Sequence, residues 1–138
     1  MEDAFINKNI PEILRTYKKI AVVGLSNKSD RDSYLVAKFM KSKGCRIFPV
    51  NPNYKEVLGV RCYSSLLEID NEIELVNIFR RSEFVLPIVK HAIKIKARVV
   101  WMQLGVIHWD AAKLAFNAGL KVVMNRCWKQ EYQYYIID

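Results

Sequence analysis

No stretch of the chain reaches the roughly 18 to 20 apolar residues in a row that a membrane-spanning helix needs. The opening MEDAFINKNIPEIL also lacks the basic segment and small-residue cleavage site of a secretory signal, so a cytoplasmic protein is expected. Cysteine is scarce: Cys45, Cys62 and Cys127 form no CxxC pair, which removes zinc-ribbon and thioredoxin-like readings. An odd, sparse count suits a reducing compartment. Cys45 and Cys62 read as small hydrophobes in or beside strands, and Cys127, next to Arg126, is the thiol with an electropositive neighbour. His91 and His108 stand in no HxH or HxxxH spacing, so no metal site is expected and both read as surface helical residues. Acidic residues are the minority, 14 against 22 basic ones, for a net charge of +8. That charge is spread through both halves with no block of five like charges, so it favours an anionic partner without marking a nucleic-acid arm.

What is present is apolar. At 51% hydrophobic residues over 138 positions, with no low-complexity run, disordered, collagen-like and coiled-coil classes are excluded. A domain of this size buries roughly two-thirds of its unfolded surface and needs no disulfide or metal staple. KKIAVVG, CRIFPV, ELVNIFR, ARVVWMQLG and KVVMNRC are short, β-branched apolar runs of the kind found in strands buried on both faces of a parallel sheet. Helical patterns separate them: PEILRTY before the first strand, then SYLVAKFMKSKG closed by Gly44, SEFVLPIVKHAIKIK with Pro87 in its opening turns, and HWDAAKLAFNAGL. A short strand at 60–63 and a helical turn capped by Ser64 or Ser65 fall within the irregular stretch after Pro52, and WKQEYQYYIID reads as a docked terminal helix. This alternation predicts a single α/β domain over 1–138, Rossmann-like and doubly wound, with about five parallel strands and helices on both faces.

In such a sheet the ligand lies outside the carboxyl ends of the strands. The first loop, Gly24 to Tyr34, is neither GxGxxG nor a P-loop. It can still hold a diphosphate, through backbone N–H groups at the helix start near Ser33 and the charge of Arg31; an ordinary helix capped by Asp32 or Ser33 is the alternative. The second strand ends in Asn51-Pro52-Asn53-Tyr54-Lys55 without the carboxylate that NAD enzymes place about 20 residues past the glycines. Lys55 and Arg61 suit an added ribose phosphate, as in NADP or the 3′-phosphate of coenzyme A. Of Arg80 and Arg81, one is expected to enter the cleft, and Gln103 joins an amide to Gly105, which lets a ligand approach the backbone. None of these loops carries a nucleophile–base set, paired carboxylates or a metal cluster, so no catalytic or metal-binding residue is assigned.

Six blocks in order match the pattern of a known family: AVVGLSNKSDRDSY stands for its AVVGAS…R.SY and is followed by IFPVNPNY. GVRCYSSL stands for G..CY.SL, NIFRR for VFRR, VVWMQLGV for VWLQLG and VVMNRC for VVMDRC, together covering roughly residues 10–130. On these blocks the sequence resembles the small stand-alone CoA-binding-domain family, which is similar to the CoA-binding Rossmann domain of succinyl-CoA synthetase and of ADP-forming acyl-CoA synthetases. The resemblance implies that a CoA or acyl-CoA ligand lays its pyrophosphate over Gly24, Leu25 and Ser26 and the helix start at Arg31, Ser33 and Tyr34. It implies an adenosine end near Asn51, Pro52 and Tyr54, and a pantetheine arm passing Phe79 and Arg80 toward Gln103 and Gly105. Leu25 in place of alanine is expected to narrow the space over the diphosphate, and Asn125 in place of aspartate to remove a partner of Arg126. The synthetases' phosphohistidine and grasp modules have no room in 138 residues, so their ligase activity is not expected. Two other classes stay open from the residues alone: an NADP-dependent oxidoreductase, and a basic interaction module using Lys38, Lys41 and Lys43 or Lys90, Lys94 and Lys96. Nucleic acid is the less expected partner, and membrane association is not expected.

Overall fold

The structure, a computed structural model, describes residues 4–137; the outermost residues of the expected domain lie outside the described residues. Five parallel strands form one sheet: β1 (Lys19–Val23), β2 (Arg46–Val50), β5 (Leu75–Ile78), β6 (Val99–Met102) and β7 (Lys121–Val123), in the order β2-β1-β5-β6-β7. Each strand is short because its apolar run is short, and β5 and β6 are buried along their whole length. Register is continuous across the sheet, with Phe48 beside Ala21, Ala21 beside Val76, Val76 beside Val100 and Val100 beside Val122. Alternate side chains feed opposite layers. Ala21, Val23, Val76, Ile78, Val100 and Met102 pack on the apolar stripes of α3 (Val85–Lys94) and α4 (Trp109–Asn117). Ile20, Val22, Leu75, Val99 and Trp101 pack on α1 (Ile10–Thr16), α2 (Asp32–Ser42) and α5 (Trp128–Tyr135). This is the Rossmann-like α/β fold, with helices on both faces. No helix among the described residues is long and apolar enough to cross a membrane.

Pro49 lies within β2, which is an edge strand, so the missing N–H costs the sheet no internal hydrogen bond. The other edge is covered from the N-terminus. Ile6 bridges Val122, and the Asn7 amide carries the pairing one step further, Oδ1 accepting from Met124 N at 2.8 Å and Nδ2 donating to Met124 O at 3.2 Å.

Three local features differ from the expectation. The strand expected over 60–63 is two residues long, β4 (Val60–Arg61); it forms a small antiparallel hairpin with β3 (Glu56–Val57), while Tyr63 turns away to bridge Val50. His108 is not within a helix: it is the N-cap of α4, its Nδ1 accepting from Ala111 N at 3.0 Å. Neither Asp32 nor Ser33 caps α2. The cap position is Arg31, which makes no side-chain capping bond, and Asp32 and Ser33 are the first helical residues. Ser65 does cap the turn at Leu66–Glu68, accepting from Leu67 N.

Candidate functional site

The strand order reverses direction of growth between β1 and β5, and in doubly wound sheets that switch point opens the ligand crevice. Three strand ends are tied together there. Phe79 N donates to Val23 O at 2.8 Å and Gly24 N donates to Val50 O at 2.9 Å, so the loops after β1 and β5 leave the sheet in contact. Gly24 has φ +87°, and a Cβ at that position would run into the Phe79 carbonyl. The glycine therefore serves a crossing of two main chains as well as a turn.

Two hollows adjoin this contact, Gly24 lining one and Phe79 the other. The first, about 520 Å³, is lined by Gly24, Asn51, Pro52 and Arg80 from the strand ends. Its far wall comes from Ser64, Ser65 and Leu66 of the short turn and from Ile88 and His91 of α3. The second, about 350 Å³, lies between α2 and α5 and is lined by Leu35, Phe79, Gln103, Leu104, Cys127 and Lys129, among others. Of the residues expected at a site, the structure thus brings Gly24, Asn51, Pro52 and Arg80 together in one hollow and Phe79 and Gln103 in the other. Leu25, Ser26, Arg31, Ser33, Tyr34, Tyr54 and Gly105 line neither.

Several of these residues build the rim. Ser33 is buried and its Oγ accepts from Ser26 N at 3.0 Å, folding the first loop back onto the start of α2. Asn51 donates from Nδ2 to Leu25 O at 3.1 Å and accepts from Asn53 N at 2.9 Å, which locks the second loop against the first. Leu25 itself is fully buried among the residues of the α1, α2 and α5 layer, so its side chain does not narrow the crevice. Arg31 remains exposed on the loop. The guanidinium of Arg80 stands 4.9 Å from the Phe84 ring, which keeps its stem along the first hollow. Arg81 does not line it. Ser64 is held by Glu68, whose Oε1 accepts from both its N–H and its hydroxyl; the hydroxyl bond is the main reason the Glu68 carboxyl sits below its ordinary range.

Three expectations are corrected. Arg61 stacks on the Tyr63 ring at 4.7 Å and lines a different hollow with Lys41 and Arg46, away from the switch point. Arg126 keeps partners despite Asn125: its Nη1 donates to the Asn125 carbonyl at 3.0 Å and its Nε lies 3.8 Å from Glu131. The Asn125 amide oxygen accepts instead from Gly105 N at 2.7 Å, tying together the loops after β6 and β7. His91, read as a surface residue, is half-buried and faces the first hollow. No group of three or more His, Cys, Asp or Glu is placed to hold a metal among the described residues.

The CoA binding domain family matches residues 18–133, from the start of β1 into α5. The chain belongs to that family. It is 44% identical over 120 residues to the uncharacterized protein YneT of Bacillus subtilis, an alignment covering 87% of this chain and 89% of that one. A solved structure, a hypothetical protein from Pyrococcus horikoshii, superposes with a TM-score of 0.93 at 42% identity, covering 98% of this chain and 95% of that one. The acetate–CoA ligase [ADP-forming] II subunit alpha of Pyrococcus furiosus is 40% identical over 67 residues, which span 48% of this chain but 15% of the ligase subunit. Family membership supports a CoA-related role.

Proposed function

We propose that the chain binds coenzyme A, free or acylated, across the carboxyl edge of the sheet at the β1–β5 switch point. One observation carries the reading: α2 begins at this edge without a side-chain cap, in a chain of the CoA binding domain family. The helix bonds start with Leu35 N donating to Arg31 O, which leaves the N–H groups ahead of it for the phosphates of a ligand. In this reading the diphosphate lies over the backbone of Gly24, Leu25 and Ser26 and the helix start at Ser33 and Tyr34, with Arg31 and Arg80 supplying charge. The adenosine end rests by Asn51, Pro52 and Tyr54 in or beside the larger hollow, and His91 adds a polar group to its wall. The pantetheine arm crosses at Phe79 toward Gln103 and Gly105. The role is holding the ligand, with no catalytic residue assigned, and the free thiols suit work in the cytoplasm.

Calorimetric titration with CoA, NADPH and ATP tests this reading. Heat with CoA at micromolar concentrations and none with NADPH is the expected result. Heat with NADPH and none with CoA overturns it in favour of a dinucleotide enzyme. Tight binding of DNA that weakens steeply with salt, in the absence of CoA binding, overturns it in favour of the basic surface.

A further inference from the structure

Cys127 immediately precedes α5, is half-buried and lines the second hollow beside Phe79, Gln103 and Lys129. The other two thiols stand elsewhere and in different surroundings. Cys45 is buried at the start of β2, and burial pushes its thiol up to about 11. Burial also raises Cys62, whose Sγ donates to the Asn51 carbonyl at 3.4 Å. Neither lines this hollow.

A second, independent feature marks the same hollow. Gln103 is only 3% exposed, yet its side chain forms part of the wall. Its amide pairs at 2.6 Å with Asn77, which is fully buried in the middle of β5. Two amides joined by one hydrogen bond use one donor group and one acceptor; whichever way round they stand, a polar atom of Gln103 is left without a protein partner. The Asn77 nitrogen, in contrast, is a buried donor with no partner. Asn77 stands behind the wall and does not line the hollow, whereas the remaining polar atom of Gln103 is not among the buried unpaired groups and is open to a ligand that brings its own donors and acceptors. The hollow therefore joins a half-buried cysteine to an amide with hydrogen-bonding capacity left over, which suits an amide-bearing arm that ends in sulfur.

We propose that Cys127 is a thiol–disulfide exchange site, which forms a mixed disulfide with the sulfur of a ligand whose amide-bearing arm lies in the second hollow. The proposal rests on the CoA reading, because pantetheine is such an arm and Phe79 stands where it would pass from the larger hollow. The co-reactant is a low-molecular-weight disulfide of the CoA class. The Cys127 thiolate attacks one of its sulfurs and a new S–S bond forms as the old one breaks. The electron pair leaves on the departing thiolate, which takes up the proton that Cys127 gave to solvent. No other oxidant enters.

The test incubates the folded chain with CoA disulfide or oxidised glutathione, followed by intact and peptide mass spectrometry without reductant. The expected result is one CoA moiety per chain, on Cys127. It should form roughly tenfold or more faster than the glutathione adduct, because a held ligand presents its disulfide at high effective concentration. Cys127→Ser should abolish it, and unfolding in urea should erase the preference between the disulfides. Equal rates with both reagents in the folded chain, an adduct on Cys45 or Cys62 instead, or no adduct at all overturns the proposal. Calorimetry of the same protein with reduced CoA separates the two readings. Heat with reduced CoA but no selective adduct removes the exchange site alone, whereas no heat and no selectivity removes both.

Discussion

Gly24 and Gly44 form a matched pair that separates backbone conformation from close approach. Their φ angles are +87° and +86°, so an alanine at either position suffers the same left-handed strain. Their surroundings differ. At Gly44, which follows α2 and closes it, an added Cβ meets nothing within 4 Å. At Gly24 it collides with the Phe79 carbonyl and comes within 3.1 Å of Arg80 Cδ, and the carbonyl belongs to main chain held by the Phe79–Val23 hydrogen bond. The left-handed strain alone costs roughly 1–2 kcal/mol for a residue with a Cβ. Crowding a packed region costs typically about 1–3 kcal/mol more. Gly44→Ala should therefore lower stability by about 1–2 kcal/mol and Gly24→Ala by about 2–5 kcal/mol. Urea unfolding at constant slope measures both, and the difference between the midpoints isolates the crossing of the two loops. Equal losses, or a smaller loss at Gly24, would refute the claim that this glycine is required by the Phe79 main chain. The same substitution displaces Phe79 and Arg80, so CoA affinity should fall for Gly24→Ala and not for Gly44→Ala.

The charged rim supplies a second expectation: Arg31→Ala and Arg80→Ala should each weaken CoA by about 1.5–3 kcal/mol, the range of a charge-assisted hydrogen bond. Calorimetry measures that loss, and unchanged affinity in both variants would remove these residues from the site. Because both side chains are exposed, their ligand-free melting temperatures should barely move. At the covered sheet edge, Asn7→Ala loses both bonds to Met124 and should cost about 1–3 kcal/mol in urea unfolding, while Asn7→Asp, which can still accept from Met124 N, should recover part of it. For Cys45 the folded thiol holds its proton up to about pH 11, against an ordinary value of 9.0. The unfolded chain then binds fewer protons than the folded one between those values, so the Cys45 contribution is fully present below pH 9 and is lost as pH rises toward 11. Unfolding measured from pH 8 to 11 should show a shallower alkaline decline for Cys45→Ala than for the parent chain.

How far the sequence could be read depended on whether the decisive partner was local. The strands were legible because four successive apolar residues bounded by Gly24, or by Asn51-Pro52, leave few alternatives to a strand buried on both faces. The helices were legible from their stripes, and Val85, Val89 and Ala92 are buried as that spacing requires. The site was legible only in part. Gln103 read as a ligand-facing amide, but its amide nitrogen donates to Asn77, the single polar residue in the LVNI of β5. An asparagine inside such a strand was itself a signal that a buried partner was needed, although nothing in the sequence says which. Arg61 read as a phosphate ligand from its nearness to the second loop, whereas the two-residue hairpin of β3 and β4 turns it onto Tyr63. His91 was missed because its helix lies far along the chain and reaches the first hollow only through the packing of α3 on the sheet. The same reasoning sets the weight carried by Gly24. One glycine after β1 reads as a turn in any such sheet, and only the parallel pairing of β1 with β5 makes it the point where two main chains touch. Gly24 borders the first hollow and Phe79 the second, so their contact is where the proposed ligand would cross from the Arg80 side toward Cys127, and Gly24→Ala tests that crossing as well as the fold.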